Sequence, residues 1–141
     1  MNARALLRVA GWYPGRAIEV DLSVQALMIA GYWVTDATVQ LLREYTGLDV
    51  TSADAARGLW IDGTRAAAWA DLDWCRAYEA EAGVGLVPFG GYSHMTLLVD
   101  EGGSVWGGYD AEFGRLGGSL EDTVDALLVR PGSVRLDRRI G

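Results

Sequence analysis

The chain contains no lysine, one cysteine, one histidine and three prolines among its 141 residues. The lone thiol, Cys75, excludes an intrachain disulfide and favours a reducing compartment. One cysteine and one histidine, His94, are too few for a cysteine/histidine metal set. Without lysine, the glycine-rich stretches GGSVWGG and GRLGGS cannot be phosphate-binding P-loops. No apolar run approaches the roughly 20 residues of a membrane span. Arg4 and Arg8 are followed by no long apolar stretch before Gly11, so no signal peptide is read and a cytoplasmic protein is expected. Low hydrophobicity is missing too: 50% of residues are hydrophobic, which excludes an intrinsically disordered chain.

Positive charge is scarce. Twelve arginines face 19 acids, for a net charge of −7. Residues 130–141 hold Arg130, Arg135, Arg138 and Arg139 against Asp137 alone, a net +3, which leaves −10 on residues 1–129. An acidic body repels nucleic acid and speeds encounter with a basic protein. Solubility alone is the simpler reading of the same charge.

The length suits one domain, read as residues 1–130, with 131–141 as a short basic tail. Residues 2–10 suit a short helix, and GWYPGR (11–16) is turn-like. Residues 22–34 are largely apolar and long enough for a helix, although Tyr32 and Trp33 leave a strand open. Residues 36–46 read as an amphipathic helix capped by Asp36 and ended by Gly47, with Thr38, Leu41, Leu42 and Tyr45 on one face. LDVT (48–51) and GLWID (58–62) look like strands, and 65–82 reads as one helix stopped by Gly83 and Gly85. Strands are then expected at 84–88, 92–99 and 104–109, the last two paired across the DEGG turn. On the middle strand His94 falls on a partly exposed face. The last helix spans 119–129, capped by Ser119. Helices first, a hairpin-rich sheet next and a final helix give an α+β order. The expected architecture is a twisted, mostly antiparallel sheet with helices packed around it.

Little in the chain suggests chemistry. A Ser-His-Asp or Cys-His system would have to use His94; local packing or hydrogen bonding is the simpler role for it. Cys75, among Trp69, Trp74 and Tyr78, reads as a packed thiol. The acid pairs Asp71/Asp73, Glu79/Glu81, Asp100/Glu101 and Asp110/Glu112 lack calcium-loop spacing. No catalytic residue, cofactor site or metal site is assigned. The chain has six tryptophans and six tyrosines; any that are exposed suit a protein interface. Trp106 and Tyr109, with Asp100, Glu101, Asp110 and Glu112 around them, are the partner-binding candidates. A core role for Trp106 remains open, and Trp12 is expected to be substantially buried because GWYPGR has little else to anchor it.

Five segments, taken in order, carry a resemblance. They are AGWYPGR, with Gly11, Trp12, Gly15 and Arg16; LLREYTGLDV; GVGLVPFGGY; LLVDEGGSVWGG; and LGGSLEDTVDALL. Together they resemble the third subfamily of the SUKH superfamily of bacterial immunity proteins, over about residues 6–129. Thr46-Gly47 and Leu120 depart mildly from that pattern. The resemblance implies an α+β domain that binds and neutralises a cognate toxin, often a nuclease or nucleic-acid deaminase, without catalytic residues of its own. A basic protein toxin is the expected partner, with no nucleic acid and no membrane; the oligomeric state stays open. Alternatives are a general protein-interaction module of the same fold and a small carboxylate-dependent hydrolase.

Overall fold

Short polar side chains start most of the helices by accepting the free amides of the first turn. In the computed structural model, which describes every residue except 133, Asn2 Oδ1 accepts from the Ala5 amide at 2.8 Å and opens α1 (Ala3–Val9). Helix α2 (Asp21–Ile29) ends before Gly31, whose φ of 104° an L side chain rarely adopts. The apolar run therefore forms a helix over its first part, and Tyr32–Val34 lie beyond it in no regular element. Helix α3 spans Asp36–Tyr45. Its cap is Thr35 rather than Asp36: the Thr35 and Thr38 side chains exchange bonds with each other's amides, and Asp36 sits in the first turn.

Strands β1 (Leu48–Thr51) and β2 (Gly58–Ile61) follow where the sequence placed them. The expected helix over 65–82 is instead two, α4 (Gly63–Trp69) and α5 (Leu72–Ala82). Ala70 turns extended and the Asp71 carboxylate takes the Trp74 amide at 3.0 Å, so the chain restarts with a fresh cap. Strands β3 (Leu86–Tyr92), β4 (Met95–Asp100) and β5 (Val105–Tyr109) form consecutive hairpins. Ser93 and His94 are the turn between β3 and β4, not part of a strand, because Ser93 adopts a left-handed φ of 54° and Tyr92 pairs directly with Met95. Two further strands escaped the sequence reading: β6 (Glu112–Gly117) and the short β7 (Arg138–Arg139) within the basic tail.

The seven strands among the described residues form one antiparallel sheet in sequence order, a simple meander. The α+β assignment holds. Helix α6 (Leu120–Val124), capped by Ser119 as expected, runs into a π-type turn over Asp125–Val129, closed by the Arg130 amide on the Asp125 carbonyl. Helices α1, α3 and α6 contact one another or the sheet, α2 packs on α4, and α5 lies against β3. The core draws on both: Leu7, Leu27 and Leu42 from the helices, Ile61, Phe89, Leu97 and Val105 from the sheet, all buried.

One sheet face carries a run of stacked rings. Trp74 stacks on Tyr78, Tyr78 on Phe113 at 5.2 Å, and Phe113 on Trp106 at 6.1 Å, with the Arg138 guanidinium 5.4 Å above Trp106. Tyr78 reaches the sheet because Gly108 has no side chain: a Cβ there would lie 2.3 Å from the tyrosine ring. The Tyr78 hydroxyl then donates to the Asp110 carbonyl at 2.6 Å, fixing α5 to the β5–β6 turn.

Candidate protein-binding surfaces

The six residues singled out from sequence fall at opposite ends of β5. Asp100 ends β4 and Glu101 opens the β4–β5 turn, whereas Tyr109, Asp110 and Glu112 surround the β5–β6 turn. The five-residue strand β5, which holds Trp106 near its start and Tyr109 at its end, runs between the two turns, a span on the order of 15 Å at about 3.3 Å per residue. The six residues do not form a single patch.

Asp100 is occupied by its own turn. One oxygen accepts from the Gly102 and Ser104 amides, both at 2.9 Å, and the other from the Trp106 indole at 3.0 Å. Trp106 is only 7% exposed, stacked on Phe113 with the Arg138 guanidinium over both rings. The core alternative is the one the structure supports for this residue. Glu101 is exposed. At the far end Tyr109 is 46% exposed, 6.0 Å from the ring of His94. With Tyr92, Met95 and Leu136 these rings line a shallow hollow of about 260 Å³. Glu112 pairs with Arg139 at 3.3 Å, an exposed contact of small energetic weight.

The two side chains considered for catalysis lie far apart in character. His94 is exposed at a hairpin tip. Cys75 is buried, takes a long hydrogen bond of 3.8 Å from the Tyr32 hydroxyl, and has its thiol pushed up to about 12 by burial. It is protonated at neutral pH and a poor nucleophile. Among the described residues no group of three or more His, Cys, Asp or Glu side chains is placed to hold a metal ion. No helix among them is long and apolar enough to cross a membrane.

A different surface emerges at α2. Only Ser23 and Leu27 of this helix are buried, while Leu22 is 78%, Met28 61%, Ile29 87% and the following Trp33 85% exposed. Met28 and Trp33 line a cavity of about 550 Å³ with Tyr32, Val34, Leu72 and Arg76. Asp21 and Gln25 give α2 a narrow polar side, four residues apart and both exposed, but Leu22, Met28 and Ile29 are exposed as well, so the helix presents apolar side chains to solvent beyond what its buried Leu27 accounts for. The apolar run predicts a helix but not which of its side chains face solvent.

The GWYPGR segment is built into the fold. The Trp12 indole donates to Glu44 at 2.9 Å and stacks on Tyr45, so the ring is partly buried rather than enclosed. Arg16 donates to the Glu44 and Thr46 carbonyls at 2.7 and 2.8 Å, clamping the end of α3. The sequence model described as SUKH-3 immunity protein matches residues 1–130, which includes this clamp and everything from α1 to the π turn. The chain belongs to the SUKH-3 immunity protein family. Neither the curated proteins nor the solved structures yield a significant match. Within the SUKH-3 chain, the five recognisable segments resolve into architecture: the α3 clamp, the α3–β1 junction, the glycine-bearing β3, the β4–β5 turn held by Asp100, and the Ser119 cap of α6.

Proposed function

We propose that this SUKH-3 protein protects its cell by binding a cognate toxin in the cytoplasm and occluding it, with no chemistry of its own. The family match over residues 1–130 carries this reading. The toxin is a basic protein acting on nucleic acid, a nuclease or deaminase. Enzymes that grip polyanions present positive charge, and a −10 body is complementary to it. Glu101, Asp110 and Glu112, spread over the two ends of β5, contribute to that long-range field and not to a common contact patch. Asp100 adds its charge while holding Trp106, and Tyr109 offers an exposed ring beside His94.

The direct test is co-expression with the toxin encoded in the adjacent reading frame. Growth is expected to be restored, and a stoichiometric complex to be recovered. His94→Ala and Cys75→Ala are expected to protect as well as wild type. Toxicity that persists in the presence of abundant folded protein would remove the immunity reading. A reaction of the purified protein that a folded His94→Ala variant abolishes would remove its non-enzymatic basis.

A further inference from the structure

We propose that the exposed apolar surface of α2 and Trp33 is the contact surface for the basic toxin; this rests on the immunity reading and adds where binding occurs. Leu22 and Ile29 are seven residues apart and so lie on one side of the helix. Met28 and Trp33 continue the surface around the cavity that ends at Leu72. Exposed apolar surface of this kind marks a binding site more often than bare solvent, and an exposed tryptophan such as Trp33 is the side chain tight interfaces use as an anchor.

The charges around this surface select its occupant. Asp21 is exposed at the start of α2, beside Leu22. Leu72 lies against the Gly31 turn, where a Cβ would meet it at 3.1 Å, Glu79 lines the same cavity, and the exposed Asp71 and Asp73 flank Leu72 along the chain. Arg76, the cation lining the cavity, donates to the Gly31 carbonyl at 3.1 Å. An apolar centre with an acidic rim matches a partner whose own apolar patch is ringed by Lys and Arg. A second copy of this chain would bring like-charged rims together on two bodies of net charge −7 each.

The experiment measures binding of the purified toxin from the adjacent reading frame by stopped-flow mixing and calorimetry. Three proteins are compared: wild type, Met28→Ala/Ile29→Ala/Trp33→Ala, and Asp21→Asn/Asp71→Asn/Asp73→Asn. The replaced side chains are exposed, and Asn retains the capping ability of Asp71, so thermal midpoints are expected to stay near wild type. The apolar variant is expected to bind about thirtyfold or more weakly, mainly through faster dissociation. The Asn variant is expected to associate several-fold more slowly at low salt, with the difference fading as the screening length falls to about 3 Å at 1 M. Binding of the folded apolar variant within about twofold of wild type overturns the placement while leaving the immunity reading standing. Failure of wild type itself to bind overturns both. A wild-type dimer, seen by sedimentation and dissolved by Trp33→Ala, overturns the proposal in favour of a second copy.

Discussion

The last carbonyls of α3 have no helical partners, and Arg16 supplies donors from a segment 28 and 30 residues earlier in the chain. A planar guanidinium spans both oxygens, which a single ammonium cannot do in the same geometry. Arg16→Ala is therefore expected to lower stability by about 1.5–3 kcal/mol, the range for hydrogen bonds to a charged group. Arg16→Lys is expected to recover little of it. Urea denaturation decides this, and a lysine variant as stable as wild type would show that charge near the helix end is enough. Burial gives a second expectation. The Cys75 thiol is pushed up to about 12 when folded, against roughly 8.5 in an unfolded chain. The unfolded state then loses its proton first, so the thiol's contribution is complete below about pH 8.5 and declines as pH rises toward about 12. Burial likewise raises Tyr32 and Tyr78, which act in the same sense at higher pH. The urea midpoint is expected to fall between about pH 8 and pH 10.5, and Cys75→Ala to flatten part of that fall. Equal slopes for the two proteins would mean that the thiol is not desolvated. The packed character of Cys75 was legible from its aromatic neighbours. The role of Arg16 was not, because nothing in GWYPGR says which distant carbonyls it faces.

Elements met their expected positions where local chemistry alone decides them. Gly83 ends α5 in a left-handed conformation, Ser119 opens α6, and the DEGG turn closes on Asp100. Where two local signals compete, the sequence misled. Residues 65–82 look like one helix because alanine and charge run through the whole stretch, yet Asp71 favours capping over continuation. Tyr92 to Val99 look like one strand because hydrophobic and polar residues alternate across Ser93 and His94, and only the positive φ of Ser93 reveals the turn. Strand β6, EFGRLG, has two glycines and little β propensity. It is a strand because β5 offers it a pairing edge and Phe113 enters the ring stack. The same stack makes a demand on β5. Gly108→Ala places a methyl 2.3 Å from the Tyr78 ring, which Trp74 and Phe113 hold from either side. A loss of about 1–3 kcal/mol is expected, the usual cost of overpacking. The Gly108→Ala/Tyr78→Leu double variant is expected to lose less than the sum of the two single changes, because the two sites share the contact. Additive losses in that cycle would place the cost of Gly108→Ala elsewhere in the strand.

Over the whole molecule, charge and architecture meet in the C-terminal residues. The sequence shows 131–141 as a basic appendage, and local pattern gives no reason to think otherwise. In three dimensions Arg138 and Arg139 pair with Phe113 and Glu112 of β6, the Ile140 amide donates to Ala111 at 2.7 Å, and the Arg138 guanidinium covers Trp106 and Phe113. The segment thus stabilises the sheet while partly cancelling the acidity of the body, and truncation after Arg130 separates the two effects. It removes Arg135, Arg138, Arg139 and Asp137, taking the net charge from −7 to −9. Stability is expected to fall by about 1–3 kcal/mol, from the lost cation–π contact and exposed rings. Trp106 fluorescence is expected to shift to the red as water reaches the indole. Association with a basic toxin is expected to move the other way, becoming faster at low salt because the attractive field is less compensated. The gain is expected to shrink with rising ionic strength, since screening acts on exposed charge and leaves buried packing almost unchanged. Lower stability with faster, salt-sensitive association is the combined outcome. An unchanged thermal midpoint would mean that β7 contributes nothing to the fold. Slower association would mean that the arginines themselves touch the partner, placing part of the interface at the Glu112–Arg139 edge.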